Sequence, residues 1–231
     1  MLEFVPWDQM LRQYVDAQGR VDYQTWQSSA QLLKDWLHQI AQLKLNHASE
    51  PNLRLALWLN LYNALVIDQI LEMYPIRSIR PTFLGIPNWV AFLQFFQQPV
   101  YQMGGHSYTL NQIEHQIIRP EFRDPRIHFA LVCAAVGCPL LRNQAYQPDQ
   151  VQAQLEEDAQ RFINNPQKVR YQPPVLYCSK IFQWYQQDFI QHSHSIPQYV
   201  QKYLAFPVQL SATTPIRYLS YDWALNQRTS S

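Results

Sequence analysis

The chain has 231 residues, 47% of them hydrophobic and 15% charged, with a formal net charge of +1. That length allows one large domain or two small ones with a sizeable core, and the composition excludes a disordered chain. The near-zero charge and the scatter of Lys and Arg exclude the electrostatic footprint of a nucleic-acid or anionic-membrane binder. The opening MLEFVPWDQMLRQYVD lacks the basic start and apolar run of a signal peptide. The most apolar window, residues 53–73, is interrupted by Arg54, Asn60, Asn63, Asp68 and Glu72, which argues for a buried helix over a membrane span. Cys133, Cys138 and Cys178 are odd in number and too few for a disulfide scaffold, so a reduced, cytoplasmic compartment is expected.

In chain order, Trp7, Leu11, Tyr14 and Val15 have helical spacing, and residues 16–20 make a turn pivoting on Gly19. Residues 21–23 read as a short extended piece. Residues 26–45 read as one amphipathic helix, with Leu32, Leu33, Trp36, Leu37, Ile40, Ala41 and Leu43 on its core face. Residues 47–52 are polar, and Pro51 is placed to begin the next helix. Residues 53–73, apolar nearly all round, form the central helix, and Asn60 and Asn63 share one face of it. Asparagine is a mediocre helix former, so this pair either ties down a neighbouring backbone or lines a site. Tyr74-Pro75 ends the helix. A long connection follows, with a short helix over residues 88–97. Gly104-Gly105 turns a hairpin between residues 100–103 and 106–110. Thr109 or Asn111 caps a helix that runs through Ile118 and carries Glu114 and His115, after which Pro120 and Pro125 break the chain.

Residues 127–139, IHFALVCAAVGCP, place one histidine and two cysteines on an otherwise apolar segment. As a strand it points Ile127, Phe129 and Leu131 one way and His128, Ala130 and Val132 the other, and two apolar faces imply an interior strand. A histidine buried there needs a hydrogen-bond partner. Gly137-Cys138-Pro139 stops the strand in a turn. Val151, Leu155, Ala159, Phe162 and Ile163 then outline an amphipathic helix. Residues 169–171 and 175–177 form a second hairpin about Pro173-Pro174, and Ser179 caps a helix over 180–189. Residues 196–204 make a further helix, and Tyr221-Asp222-Trp223 closes over the core. The expected fold is α+β: a mostly helical single domain over residues 1–231, with a central buried helix and a small, largely antiparallel sheet. Residues 1–50 are expected to pack on a core of 53–226.

Five ordered blocks resemble the family called domain of unknown function 547. They are LWLNLYNALVI at 57–67, YTLNQIEH at 108–115 with Arg119, HFALVCAAVGCP at 128–139, SKIFQWY at 179–185 with Asp188 and Phe189, and YDWALN at 221–226. The resemblance spans residues 53–226 and singles out Asn63, Glu114, His115, His128, Cys133 and Cys138. Where the family often has two aspartates, this chain has Asn111-Gln112. The combination of central helix, small sheet and Cys/His residues is similar to papain- or transglutaminase-like thiol enzymes, an analogy of fold only. Those enzymes carry the nucleophile on the central helix, whereas this one has Asn60 and Asn63 there and no cysteine.

A catalytic thiol needs a base nearby and a third group to orient that base. Cys133 or Cys138 as nucleophile, His115 or His128 as base and Glu114 as orienter supply those parts. On a strand, His128 and Cys133 point to opposite faces, and adjacent Glu114 and His115 diverge on a helix. Pairing across elements, His115 with a cysteine and Glu114 with His128, is therefore the expected geometry. Cys138, in its turn, is expected to be the more reachable sulfur. A structural zinc site on His115, His128, Cys133 and Cys138 and a redox cysteine pair are both disfavoured by the Cys-x4-Cys spacing. Cys178 reads as structural, and His106, His192 and His194 as surface. The expectation is a cysteine-dependent hydrolase or acyl transferase for an amide, peptide or thiol-containing substrate. Its alternative is a non-catalytic binding module, and no cofactor, nucleic acid or membrane partner is implied.

Overall fold

The computed structural model describes residues 4–43, 50–83 and 86–228. Helices α1 (Val5–Tyr14), α2 (Tyr23–Gln27) and α3 (Ala30–Ala41) open the chain. Gly19, at φ 70°, makes the turn after α1. The single helix expected over 26–45 is broken at Ser28 and Ser29, because Asp22 caps α2 as a separate short turn and accepts from the Thr25 amide. Leu33, Trp36, Leu37 and Ile40 are buried as expected, but Leu32 is 57% exposed. The end of that helix beyond Leu43 and the first half of the polar stretch 47–52 lie outside the described residues.

Helix α4 (Pro51–Met73) starts with Pro51 in its first turn, and the Glu50 carboxylate accepts from the Leu53 amide. It is the buried centre, sealed on all sides from Leu55 to Ile67. Asn60 and Asn63 carry the polar task that their placement implied. The Asn63 amide donates to the Ala130 carbonyl and accepts from the Val132 amide, both at 3.0 Å. Asn60 ties down the Tyr146 backbone in the same two-handed way.

After α4 come the two-residue strands β1 (Thr82–Phe83) and β2 (Ile86–Pro87), then α5 (Trp89–Gln97), capped by Asn88. The hairpin of β3 (Tyr101–Met103) and β4 (His106–Tyr108) turns on Gly104 and Gly105, both at positive φ. Thr109 then caps α6 (Leu110–Gln112) with a reciprocal bond from Gln112. The helix widens to a π-helix over Ile113–Ile118 and continues as α7 (Arg119–Phe122). Pro120 thus does not break it. A proline lacks the amide and crowds the preceding turn, and the widened stretch lies where that crowding falls.

The interior strand expected from residue 127 does not form. Asp124 and Pro125 start a 3-10 helix, Pro125–Phe129, and residues 130–134 run on without a ladder. A run apolar on both sides fits any buried backbone, and here the Asn63 amide satisfies the carbonyl and amide that a neighbouring strand would have taken.

Helix α8 (Val151–Ile163) follows, then the hairpin β5 (Val169–Gln172) and β6 (Val175–Cys178). Ser179 caps α9 (Lys180–Trp184), and a break at Tyr185 separates it from α10 (Gln186–Ser193). Helix α11 (Ile196–Gln201) leads to β7 (Ile216–Tyr218), which adds to β6 in parallel. The architecture is mostly helical α+β with small sheets. Two hydrophobic clusters form its core, one around α1, α3 and α4, the other around α8 to α11. No described helix is long and apolar enough to cross a membrane.

Candidate active site

A cavity of about 370 Å³ opens between the two clusters, and five of the six expected site residues line it: Glu114, His115, His128, Cys133 and Cys138. Asn63 does not. It lies behind the wall and holds the 130–132 backbone that places His128 and Cys133.

His128 has the partner its burial demanded, although not the expected one. Its Nε2 lies 2.7 Å from Asp188 Oδ2 on α10, and its ring stacks on Tyr185 with centroids 3.8 Å apart. Burial lowers the imidazole's pKa against the upward pull of Asp188, so the ring is held neutral. Partial burial pushes the Asp188 carboxyl up, yet the hydrogen bonds from His128 and Arg119 outweigh it and keep Asp188 ionised well below the usual range. Asp188 therefore accepts from Nε2–H, which leaves Nδ1 as the ring nitrogen able to take a proton.

Arg119 grips the same carboxylate through two nitrogens, each at 2.9 Å, and its Nη1 lies 2.8 Å from His115 Nδ1. A guanidinium only donates, so His115 Nδ1 accepts and its ring proton sits at Nε2, 4.0 Å from Glu114 Oε1. Glu114 is not bonded to His128. Its carboxyl group accepts from Tyr185 at 2.6 Å and from Tyr62 at 3.2 Å. Burial first, then the Glu114 charge, drives both phenols well above their ordinary pKa and keeps them as donors.

The two cavity cysteines are joined in a disulfide, their Cα atoms 6.3 Å apart. Spacing argued against a redox pair, but the turn folds the five-residue interval back on itself, with Ala134 at φ 60°. Cys138 Sγ is the more closely bonded sulfur: the Cys133 amide and the Tyr221 hydroxyl both reach it at 3.0 Å, while the same hydroxyl lies 3.5 Å from Cys133 Sγ. By exposure the order is opposite to the expected one, since Cys138 is buried and Cys133 only half so. Gly137 admits the closing strand of chain, because a Cβ there would meet the Asp222 carbonyl and the Tyr221 ring at 2.8 Å. Tyr221 and Trp223 are thus cavity walls, where the sequence suggested they only cover the core. Cys178 is a free thiol outside the cavity, and burial pushes it up to about 12. Among the described residues no group of three or more His, Cys, Asp or Glu is placed to hold a metal ion.

Sequence reasoning missed Asp188, Arg119, Tyr62, Tyr185 and Tyr221 as site residues. All five stood in the quoted blocks, and the need for a partner at His128 was the signal that an acid had to come from elsewhere. No curated protein and no solved structure matches the chain. Residues 45–163, which take in every singled-out residue from Asn63 to Cys138 but stop short of Tyr185, Asp188 and Tyr221, match one known family, and the chain belongs to it: the family described as protein of unknown function, DUF547.

Proposed function

We propose that the cavity is the active site of a cysteine-dependent hydrolase or acyl transferase, with Cys138 as nucleophile once its disulfide is reduced. The observation that carries this reading is the pair of donors on Cys138 Sγ, in a cavity also walled by His128 with its Asp188 partner. Donors aimed at a sulfur favour its thiolate over its thiol. A cellular dithiol opens the disulfide, becoming a disulfide itself, and a reduced compartment such as the cytoplasm maintains that state. As the Cys138 thiolate forms, the thiol proton passes to the free His128 Nδ1; the thiolate adds to an acyl carbonyl, and that proton then goes to the leaving alcohol, thiol or amine. Water, losing a proton to His128, releases the acid and returns the thiolate. The substrate is a small molecule or peptide presenting an ester, thioester or amide.

The test is acyl-enzyme trapping by mass spectrometry with an activated aryl ester. Reduced protein acquires one acyl group on Cys138, the disulfide form acquires none, and Cys138→Ala acquires none. Labelling that is absent from reduced protein, or unchanged in Cys138→Ala, ends the proposal. The Cys133–Cys138 bond favours a second reading, a non-catalytic binding module, and that negative outcome is the one it expects.

A further inference from the structure

We infer that the cavity seats an uncharged apolar chain of about 10 to 14 carbons, the acyl part of the substrate. The walls decide the chemistry. Trp89, Phe92, Phe96, Leu131, Ile181 and Trp223 present hydrocarbon and ring faces to it. No Lys or Arg is among the residues lining the cavity, and its one carboxyl group is Glu114. Such a lining repels a carboxylate or phosphate and offers it no cation to pair with.

Size decides the length. An apolar cavity of ~150 Å³ accommodates one benzene ring, so 370 Å³ takes roughly two and a half times as much, about 15 ring carbons and somewhat fewer of the bulkier CH2 groups of a chain. The rim agrees with both. Trp89, Leu93 and Trp184 line the cavity and are yet 54%, 49% and 47% exposed, and Ile86 and Val90 beside them are 70% exposed. Apolar surface therefore continues from the cavity floor out over α5, where a chain longer than the cavity would lie. Tryptophan and leucine left in water around a hollow are explained by a ligand that covers them.

Calling this chain part of a substrate rests on the acyl-transfer reading, but its seat in the cavity does not. The experiment is calorimetric binding of 1-hexanol, 1-octanol, 1-decanol, 1-dodecanol and decanoate to the disulfide form, in which no thiolate is present. Affinity is expected to rise roughly threefold to fourfold per added CH2, to level off near ten carbons or beyond, and to be at least tenfold weaker for decanoate than for decanol. Leu93→Trp, at a half-exposed position, is expected to move the plateau to shorter chains, and Trp184→Ala to longer ones. Affinity independent of chain length, decanoate binding as tightly as decanol, or a plateau unmoved by both variants overturns the inference. Length-dependent binding together with failed acyl trapping rejects the proposed chemistry and leaves the chain site standing.

Discussion

At the scale of the residue, the site is governed by which groups stay protonated. Asp188 raises the His128 pKa while burial lowers it more, so the ring titrates below its ordinary ~6.5. Between that lowered value and ~6.5 the unfolded chain binds the proton and the folded one does not, so His128 withdraws stability as the pH falls through this window. Asp188→Asn removes the raising partner. The His128 ring, followed by NMR, is then expected to titrate lower still, whereas an unchanged or higher value would separate Asp188 from its assigned role. The demand for a partner at His128 was legible in the sequence, because a buried imidazole cannot go unmatched. Its identity was not. Asp188 lies sixty residues further on, and spacing rules relate only residues that share an element.

At the scale of the element, the central helix does more than fill the core. Asn63 replaces a strand neighbour for residues 130–132. Its truncation to Ala leaves a buried carbonyl and a buried amide unpaired, each costing about 1–3 kcal/mol. Asn63→Ala is expected to lose about 2–4 kcal/mol in denaturant titration, and a loss under 1 kcal/mol would contradict this reading. Further along the same helix, burial and then the Glu72 charge push the Asp68 carboxyl up to about 6 against the opposing pull of Lys34. Its raised pKa makes the folded state the better proton binder from about pH 4 to 6, so stability falls as the pH rises through that range. Asp68→Asn is therefore expected to stabilise the protein at pH 7.5 by about 1–2 kcal/mol, discounted for partial exposure. The gain should shrink at pH 4.5; an equal gain at both pH values would refute the assignment. Helix α4, helix α5 and both hairpins were legible from period, caps and Gly-Gly or Pro-Pro turns. The 127–139 segment was misread as a strand because an apolar run signals burial without fixing conformation. The bond pattern that fixes it comes from a side chain on α4.

At the scale of the whole molecule, the cavity lies on the seam between the two hydrophobic clusters, and the carboxy-terminal segment crosses that seam. Tyr221 packs against both clusters and bonds to Cys138. The gathering of thiols and imidazoles about one hollow was legible from the density of Cys, His and Glu in two short stretches. The wall that completes it was not, since Tyr185, Asp188 and Tyr221 come from elements distant in sequence. The central claim is that this assembly activates the Cys138 sulfur. Its most direct test is the iodoacetamide rate of each cysteine in reduced, folded protein at pH 7, read by peptide mass spectrometry. Cys138 is expected to react at least tenfold faster than a free thiol and to slow several-fold in Tyr221→Phe, which lacks the hydroxyl donor. A Cys138 that reacts no faster than a free thiol, or a rate untouched by Tyr221→Phe, contradicts the account.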